Sequence, residues 1–225
     1  MGEFSLHEST IASLQSELKK AGVDMNEDAL INALDDPSVN KYTKYRATIA
    51  LRKFGTKKSV PSLKRMIDYP MQDVKDCSVL TIAEISGKTG IPFLVDLLDK
   101  PKFKKAYTLW AIQSINDKSA IEPVKNYMRD RLKFFHRPSA AKITGGIEYG
   151  LIYLDRYSLS PGVEEILMGY QSIWNKFSLQ DQKKLQDRTE FYKQQPLKPF
   201  GDEPGKRAKK KKPGFFQSLI KLIRD

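Results

Sequence analysis

Three stretches decide the fold: Ser59-Val-Pro-Ser-Leu-Lys-Arg-Met-Ile-Asp68, Gly90-Ile-Pro-Phe-Leu-Val-Asp-Leu-Leu-Asp99 and Ile121-Glu-Pro-Val-Lys-Asn-Tyr-Met-Arg-Asp130. Pro61, Pro92 and Pro123 stand 31 residues apart, and so do Met66, Leu97 and Met128, and Asp68, Asp99 and Asp130. A proline near a helix start loses nothing by lacking an N–H, and its fixed φ favours the first turn. Apolar residues at helical spacing follow each proline: Leu63, Met66 and Ile67 in the first unit, Leu94, Leu97 and Leu98 in the second. Each unit therefore opens with a helix.

A second helix closes each unit. Ala47, Ala50, Leu51 and Phe54 form one apolar stripe, and Ser78, Thr81, Ile82 and Ile85 repeat it 31 residues on. Ala106, Leu109, Ile112 and Ile115 are the third, shifted by one residue. Short punctuation separates the helices: Asp36-Pro37, Tyr69-Pro70 and Lys100-Pro101 within hairpins, and Gly55, Gly87 with Gly90, and Asn116-Asp117 between them. One hairpin cannot bury its apolar face, but a stack of them can.

The pattern resembles the HEAT-repeat family, in the short form also found in phycobilisome-lyase-type repeats, over residues 22–157. The resemblance implies an all-α fold, an α-solenoid of about four HEAT-like helical hairpins, and the Pro/Gly/Lys-rich composition after residue 193 adds a flexible C-terminal tail. Residues 5–21 read as an amphipathic capping helix on Leu6, Ile11, Leu14 and Leu18. Helices over 162–176 and 178–193 are expected to cap the far end, with Ser178 and Asp181 as an N-cap and first-turn acid. Gly145, Gly146 and Gly150 weaken the helix they sit in by about 1 kcal/mol each relative to Ala, and are read as sites of close packing. The organisation is thus a repeat domain over 1–193, a Pro/Gly/Lys-rich linker over 194–214 and a short amphipathic helix over 215–225.

Charge is unevenly spread. The chain carries +12, of which +7 lies in the last twenty residues and +5 in the rest. Residues 41–65 hold nine Lys or Arg and no acid. On the second helix of that unit, Lys41, Lys44, Tyr45, Thr48 and Arg52 share a face opposite Ala47, Leu51 and Phe54. In HEAT repeats second helices line the concave surface, so the resemblance places Lys41, Lys44, Tyr45, Arg52, Lys105 and Tyr107 there as partner-binding residues. Lys104, Lys125, Arg129, Arg131, Lys133, Arg137 and Lys142 would extend the patch. Phosphates would find an electrostatic footprint on such a face.

The tail is the second binding cue. Lys206, Arg207, Lys209, Lys210, Lys211 and Lys212 precede Phe215, Phe216, Leu219, Ile220 and Ile223, which share one helical face. A polybasic run before a short amphipathic helix suits an anionic membrane surface, a groove in a partner, or the chain's own array.

Catalytic signatures are scarce. His7 and His136 are the only histidines, and Cys77 is the only cysteine. Neither metal-ligand spacing nor a glycine-rich phosphate loop occurs, so no cofactor and no metal are expected. Cys77 reads as a small buried hydrophobe, and a chain without disulfides fits a reducing, cytoplasmic setting. No secretory pattern stands at the N-terminus. One enzyme reading exists: HEAT-like alkylpurine DNA glycosylases place an acid and aromatics over DNA, roles that would fall to Asp76, Tyr107 and Trp110. No motif matches residue by residue, and Trp110 is read as core or groove wall. The sequence therefore predicts a non-catalytic scaffold engaging a protein partner, with nucleic acid and then anionic membrane as alternatives.

Overall fold

The structure, a computed structural model, describes residues 8–135 and 146–197. Its helices, in order, are α1 (Glu8–Lys20), α2 (Glu27–Asp35), α3 (Lys41–Phe54), α4 (Val60–Met66), α5 (Gln72–Ser86), α6 (Ile91–Asp99), α7 (Ala106–Ile115), α8 (Ile121–Phe135), α9 (Ile147–Asp155), α10 (Val163–Gln171) and α11 (Leu179–Arg188). No strand occurs among the described residues. The three repeat prolines fall in the first turns of α4, α6 and α8, each just after a single 3₁₀ turn.

Local chemistry fixes the ends. Asn26 accepts a hydrogen bond from the Ala29 N–H at 2.9 Å, and Asn40 accepts from Tyr42 and Thr43 at 3.0 Å each. Ser178 accepts from the Asp181 N–H at 3.1 Å, the cap its spacing predicts. These oxygens answer first-turn N–H groups that have no partner inside the helix. Asn116 closes α7 at φ 54° in the left-handed region, which asparagine tolerates well.

The helices stack in two layers. First helices α2, α4, α6, α8 and α10 form one, and second helices α3, α5, α7, α9 and α11 form the other. α1 joins the second layer by packing on α3, with Leu14 and Leu18 buried and Glu17 paired to Arg46 at 3.1 Å. The two helices expected as a cap are α10 and α11. They pack on α8 and α9 as the earlier units pack on one another, so the cap is a fifth pair lacking the proline signature. Its core is aromatic: Tyr170, Trp174, Phe177 and Tyr192 are all buried.

The core stripes are those of the sequence, with two refinements. Phe54 is 37% exposed, because it lies at the last residue of α3, beyond its neighbours. Ser78, Thr48 and Thr81 are fully buried, and each hydroxyl finds a backbone carbonyl; Thr81 reaches across to Thr48 O at 3.1 Å and ties α5 to α3. Gly146 and Gly150 are indeed places of close approach. A Cβ on Gly150 would lie 2.6 Å from Met128 Sδ, and one on Gly146, at φ +90°, would lie 2.4 Å from Ala106 Cα.

This contact generates a stability test. Gly146→Ala adds both a left-handed strain and a backbone clash, whereas Gly22→Ala, at φ +73° with open space around it, adds the strain alone. Gly22→Ala is expected to cost about 1 kcal/mol, and Gly146→Ala clearly more. Urea denaturation of both variants measures the difference.

Candidate functional site

The expected lysine ridge does not form. Lys44 is 3% exposed, and its ammonium donates to Ala33 O at 3.2 Å, Asp36 O at 2.7 Å and Leu34 O. These are carbonyls at the C-terminal end of α2, which no helical N–H can answer. Lys105 does the same for α6 through Leu97 O and Lys100 O, and Lys176 reaches Phe135 O at the end of α8. Burial lowers the pKa of Lys44 and of Lys105. Tyr45 is 3% exposed, its phenol pushed well up by burial, and Arg52 is half-buried along α5. Lys44, Tyr45, Arg52 and Lys105 therefore belong to the packing of the array and offer no open basic face. The reason is geometric: a side chain early in the second helix points back at the end of the first helix.

The rest of the acid-free run is largely engaged as well. Arg46 pairs with Glu17, Lys58 with Asp28 and Arg65 with Asp35, while Lys64 lies 4.8 Å from the Phe93 ring centre. Lys41 stays exposed at the start of α3, 5.2 Å from the Tyr42 ring centre. Further along, Lys125 holds Glu122 and Pro161 O, Lys133 holds Asp130, and Arg129 holds Asn126. Arg137 and Lys142 lie outside the described residues. So do all the tail residues, Lys206, Arg207, Lys209 to Lys212, Phe215, Phe216, Leu219, Ile220 and Ile223.

What the second-helix layer does bring together is aromatic and acidic. Tyr107 and Trp110 on α7 lie 5.8 Å apart by ring centres, and Trp110 stacks on Tyr149 of α9 at 5.6 Å and 14°. All three rings are half-buried. Asp73 and Asp76 stand in the first two turns of α5, and Glu148 in the first turn of α9. Asp76 is 7% exposed, and burial raises its pKa to about 6 despite a 2.7 Å hydrogen bond from Gln72 and the nearby Lys104. Burial likewise raises Tyr107 to about 12 and lifts Glu148 above the usual carboxylate range. Lys184 of α11 sits 3.5 Å from the Tyr149 ring centre with its ammonium 3.5 Å from Glu148. A cation held between an aromatic face and a carboxylate is what this layer already accommodates once.

Tyr107 is the one half-buried member of this row that the sequence picked out for partner binding. Asp76 and Trp110 were singled out only through the glycosylase resemblance, and the structure sets them in the same region. Glu148, Tyr149 and Lys184 were missed. α8 has 15 residues where α6 has 9, so the 31-residue register that aligns the earlier units slips before α9. Cys77 is buried and its thiol is pushed up to about 12, which makes it core. Among the described residues no group of three or more His, Cys, Asp or Glu is placed to hold a metal ion, and no helix is long and apolar enough to cross a membrane.

Paired helices stacked in two layers, with side chains of successive second helices forming one surface, define a helical-repeat array. Residues 27–105, from α2 to the turn before α7, match the family model of HEAT repeats. The match does not extend to the phycobilisome-lyase form. No curated protein and no solved structure matches the chain.

The lysine caps can be tested directly. Lys44→Met keeps the apolar stem and leaves the α2 carbonyls unanswered, so it is expected to cost about 2–3 kcal/mol, as for hydrogen bonds to a charged group. Lys41→Met is expected to stay within about 0.5 kcal/mol. Thermal and urea unfolding of the two variants checks both.

Proposed function

We propose that the chain is a non-catalytic binding protein that holds a partner protein on its second-helix layer, with Tyr107, Trp110 and Tyr149 as the anchoring side chains. HEAT repeats generally mediate protein–protein contacts, which supports the class of function. The observation that carries the site is the row of half-buried rings across α7 and α9, edged by Asp73, Asp76 and Glu148. Tyr and Trp in such a setting are the residue types that dominate binding energy, since they bury large area with few rotatable bonds. In this reading the basic tail at 206–225 adds a tethered second contact, raising avidity through effective concentration.

A nucleic-acid reading retains one observation in its favour. Asp76, Tyr107 and Trp110, the acid and aromatics that a glycosylase-like role would need, come together on neighbouring helices α5 and α7. Against it, Lys44 is buried on the α2 carbonyls, and Lys58 and Arg65 are paired with Asp28 and Asp35 at the surface.

Co-purification from native lysate separates the two. The full chain, treated with nuclease, is expected to retain a defined protein partner. Trp110→Ala is expected to weaken that association by about 2 kcal/mol or more, roughly thirtyfold. Tyr42→Ala, which removes an aromatic 49% exposed near the start of α3, is expected to leave it unchanged. Loss of all bound material to nuclease, or base release from alkylated DNA, would replace the protein-partner reading with the nucleic-acid one.

A further inference from the structure

We propose that the chain's own C-terminal segment, residues 206–225, docks on the second-helix layer, its lysines on Asp73, Asp76 and Glu148 and its apolar stripe on the rings of Tyr107, Trp110 and Tyr149. The layer is then self-occupied until a partner displaces the segment. The proposal rests on the reading of this layer as a binding surface, without requiring any one partner.

The first support is how the carboxylates are distributed. On the first-helix side Asp35 holds Arg65 at 2.6 Å, Asp68 holds Lys100 at 2.5 Å, Glu122 holds Lys125 at 2.7 Å and Asp130 holds Lys133 at 2.7 Å, while Asp96 and Asp99 of α6 and Glu164 and Glu165 of α10 have no ion pair among the described residues. Asp28 pairs with Lys58. On α5 Asp73, Asp76 and Glu84 likewise make no ion pair among the described residues, and Asp73 and Asp76 are the unpaired acids that neighbour Tyr107 in the aromatic row. A chain of net charge +12 thus leaves carboxylates unmatched beside its aromatic row while its densest lysine run, Lys209 to Lys212, lies in the tail. Lys184, between the Tyr149 ring and Glu148, shows how an ammonium sits in this surface.

The second support is where the chain goes after α11. The Glu190 and Phe191 N–H groups donate to Asp155 at the last residue of α9, at 3.2 and 3.4 Å, while Lys184 meets Glu148 in the first turn of α9. α9 and α11 therefore run parallel. From Glu190 the chain turns back: Gln186 donates to Gln195 O, and Trp174 Nε1 donates to Pro196 O at 2.6 Å. Trp174 is itself tied to the first turn of α11, its carbonyl accepting from Gln182 at 3.2 Å. The chain is thus delivered to the edge at which the second helices begin, the edge that carries Asp73, Asp76, Tyr107 and Glu148.

Reach is sufficient. Residues 198–205 separate Leu197 from Lys206, and an extended residue covers up to about 3.4 Å, giving roughly 27 Å. Packed helices lie about 8–10 Å apart, so three steps from α11 to α5 need a similar span. The short link also sets an effective concentration on the order of millimolar, enough for a weak contact to be populated.

The full chain, in 50 mM and 500 mM salt, is treated with a carbodiimide that joins touching amines and carboxylates, and the monomer is mapped by mass spectrometry. Links from Lys206–Lys212 to Asp73, Asp76 or Glu148, at least threefold weaker in high salt, are expected. Links confined to dimers, links favouring Glu164 and Glu165 on α10, or no tail links at all would overturn the proposal. A second readout uses tryptophan: Trp174 is 4% exposed, so acrylamide quenching reports chiefly on half-buried Trp110. Reversing Lys209 to Lys212 to Glu in the full chain is expected to raise that quenching about twofold, and unchanged quenching counts against docking. Neither experiment contains a partner. Failure here leaves the Trp110→Ala effect on capture standing, and failure of that capture effect leaves the crosslinks standing.

Discussion

No helix among the described residues is long enough to stand alone. They run from 7 to 15 residues, and isolated helices below about 12–15 residues are marginal in water. Each is held by its neighbours in the stack, and every short helix also ends in carbonyls that nothing inside it can answer. Burial in the array makes those ends expensive unless something charged or polar reaches them. Lysines 44, 105 and 176 are the answer at the ends of α2, α6 and α8. Lys44 and Lys105 also bind the hairpin's two helices to one another, so there the capping group and the interhelical tie are the same side chain, whereas Lys176 ties the last pair to α8.

That use of lysine changes what the net charge means. A strongly basic chain suggests a polyanion partner, and an acid-free stretch of 25 residues strengthens the suggestion. Of those cations Lys44 is buried on backbone carbonyls, Arg46, Lys58 and Arg65 are paired with carboxylates, and Lys64 lies over an aromatic face. Because the lysines turn inward to the hairpin ends, the second-helix surface is left to aromatics and acids. The surface proposed to meet a partner therefore differs in character from the chain's overall composition, and +7 of the net charge lies in the last twenty residues.

The architecture was legible because its cause is periodic. Prolines 61, 92 and 123 and the stripes after them repeat at one spacing, and each marks a helix start that the structure has. Ser178 was legible as a cap for the same local reason. The face of α3 was not. A helical wheel tells which residues share a side, but it does not tell what lies opposite them, and Lys44, Tyr45 and Arg52 share a side that faces α2 and α5. Tyr149, Glu148 and Lys184 were hidden by the longer α8, which breaks the register that would align them with Tyr107 and Trp110. Position along one helix is written locally; meeting across three helices is not.

Asp76 bears most directly on whether the second-helix surface exists for the array or for a ligand. A carboxylate buried to 7% exposure, with burial raising its pKa to about 6, is charged at neutral pH at the expense of the fold. The native state holds its proton more tightly than the unfolded chain does, so its contribution to stability is best in acid and declines as pH rises through about 6. A structural role would be better served by an apolar residue of similar size among Tyr107 and its neighbours. The same desolvation makes the group valuable to an incoming cation, since an ion pair formed there is screened far less than one at an open surface. A lysine or arginine arriving beside Asp76 would draw its pKa back down and relieve the strain of burial. On the proposed reading, binding and stability are thus coupled through one carboxylate.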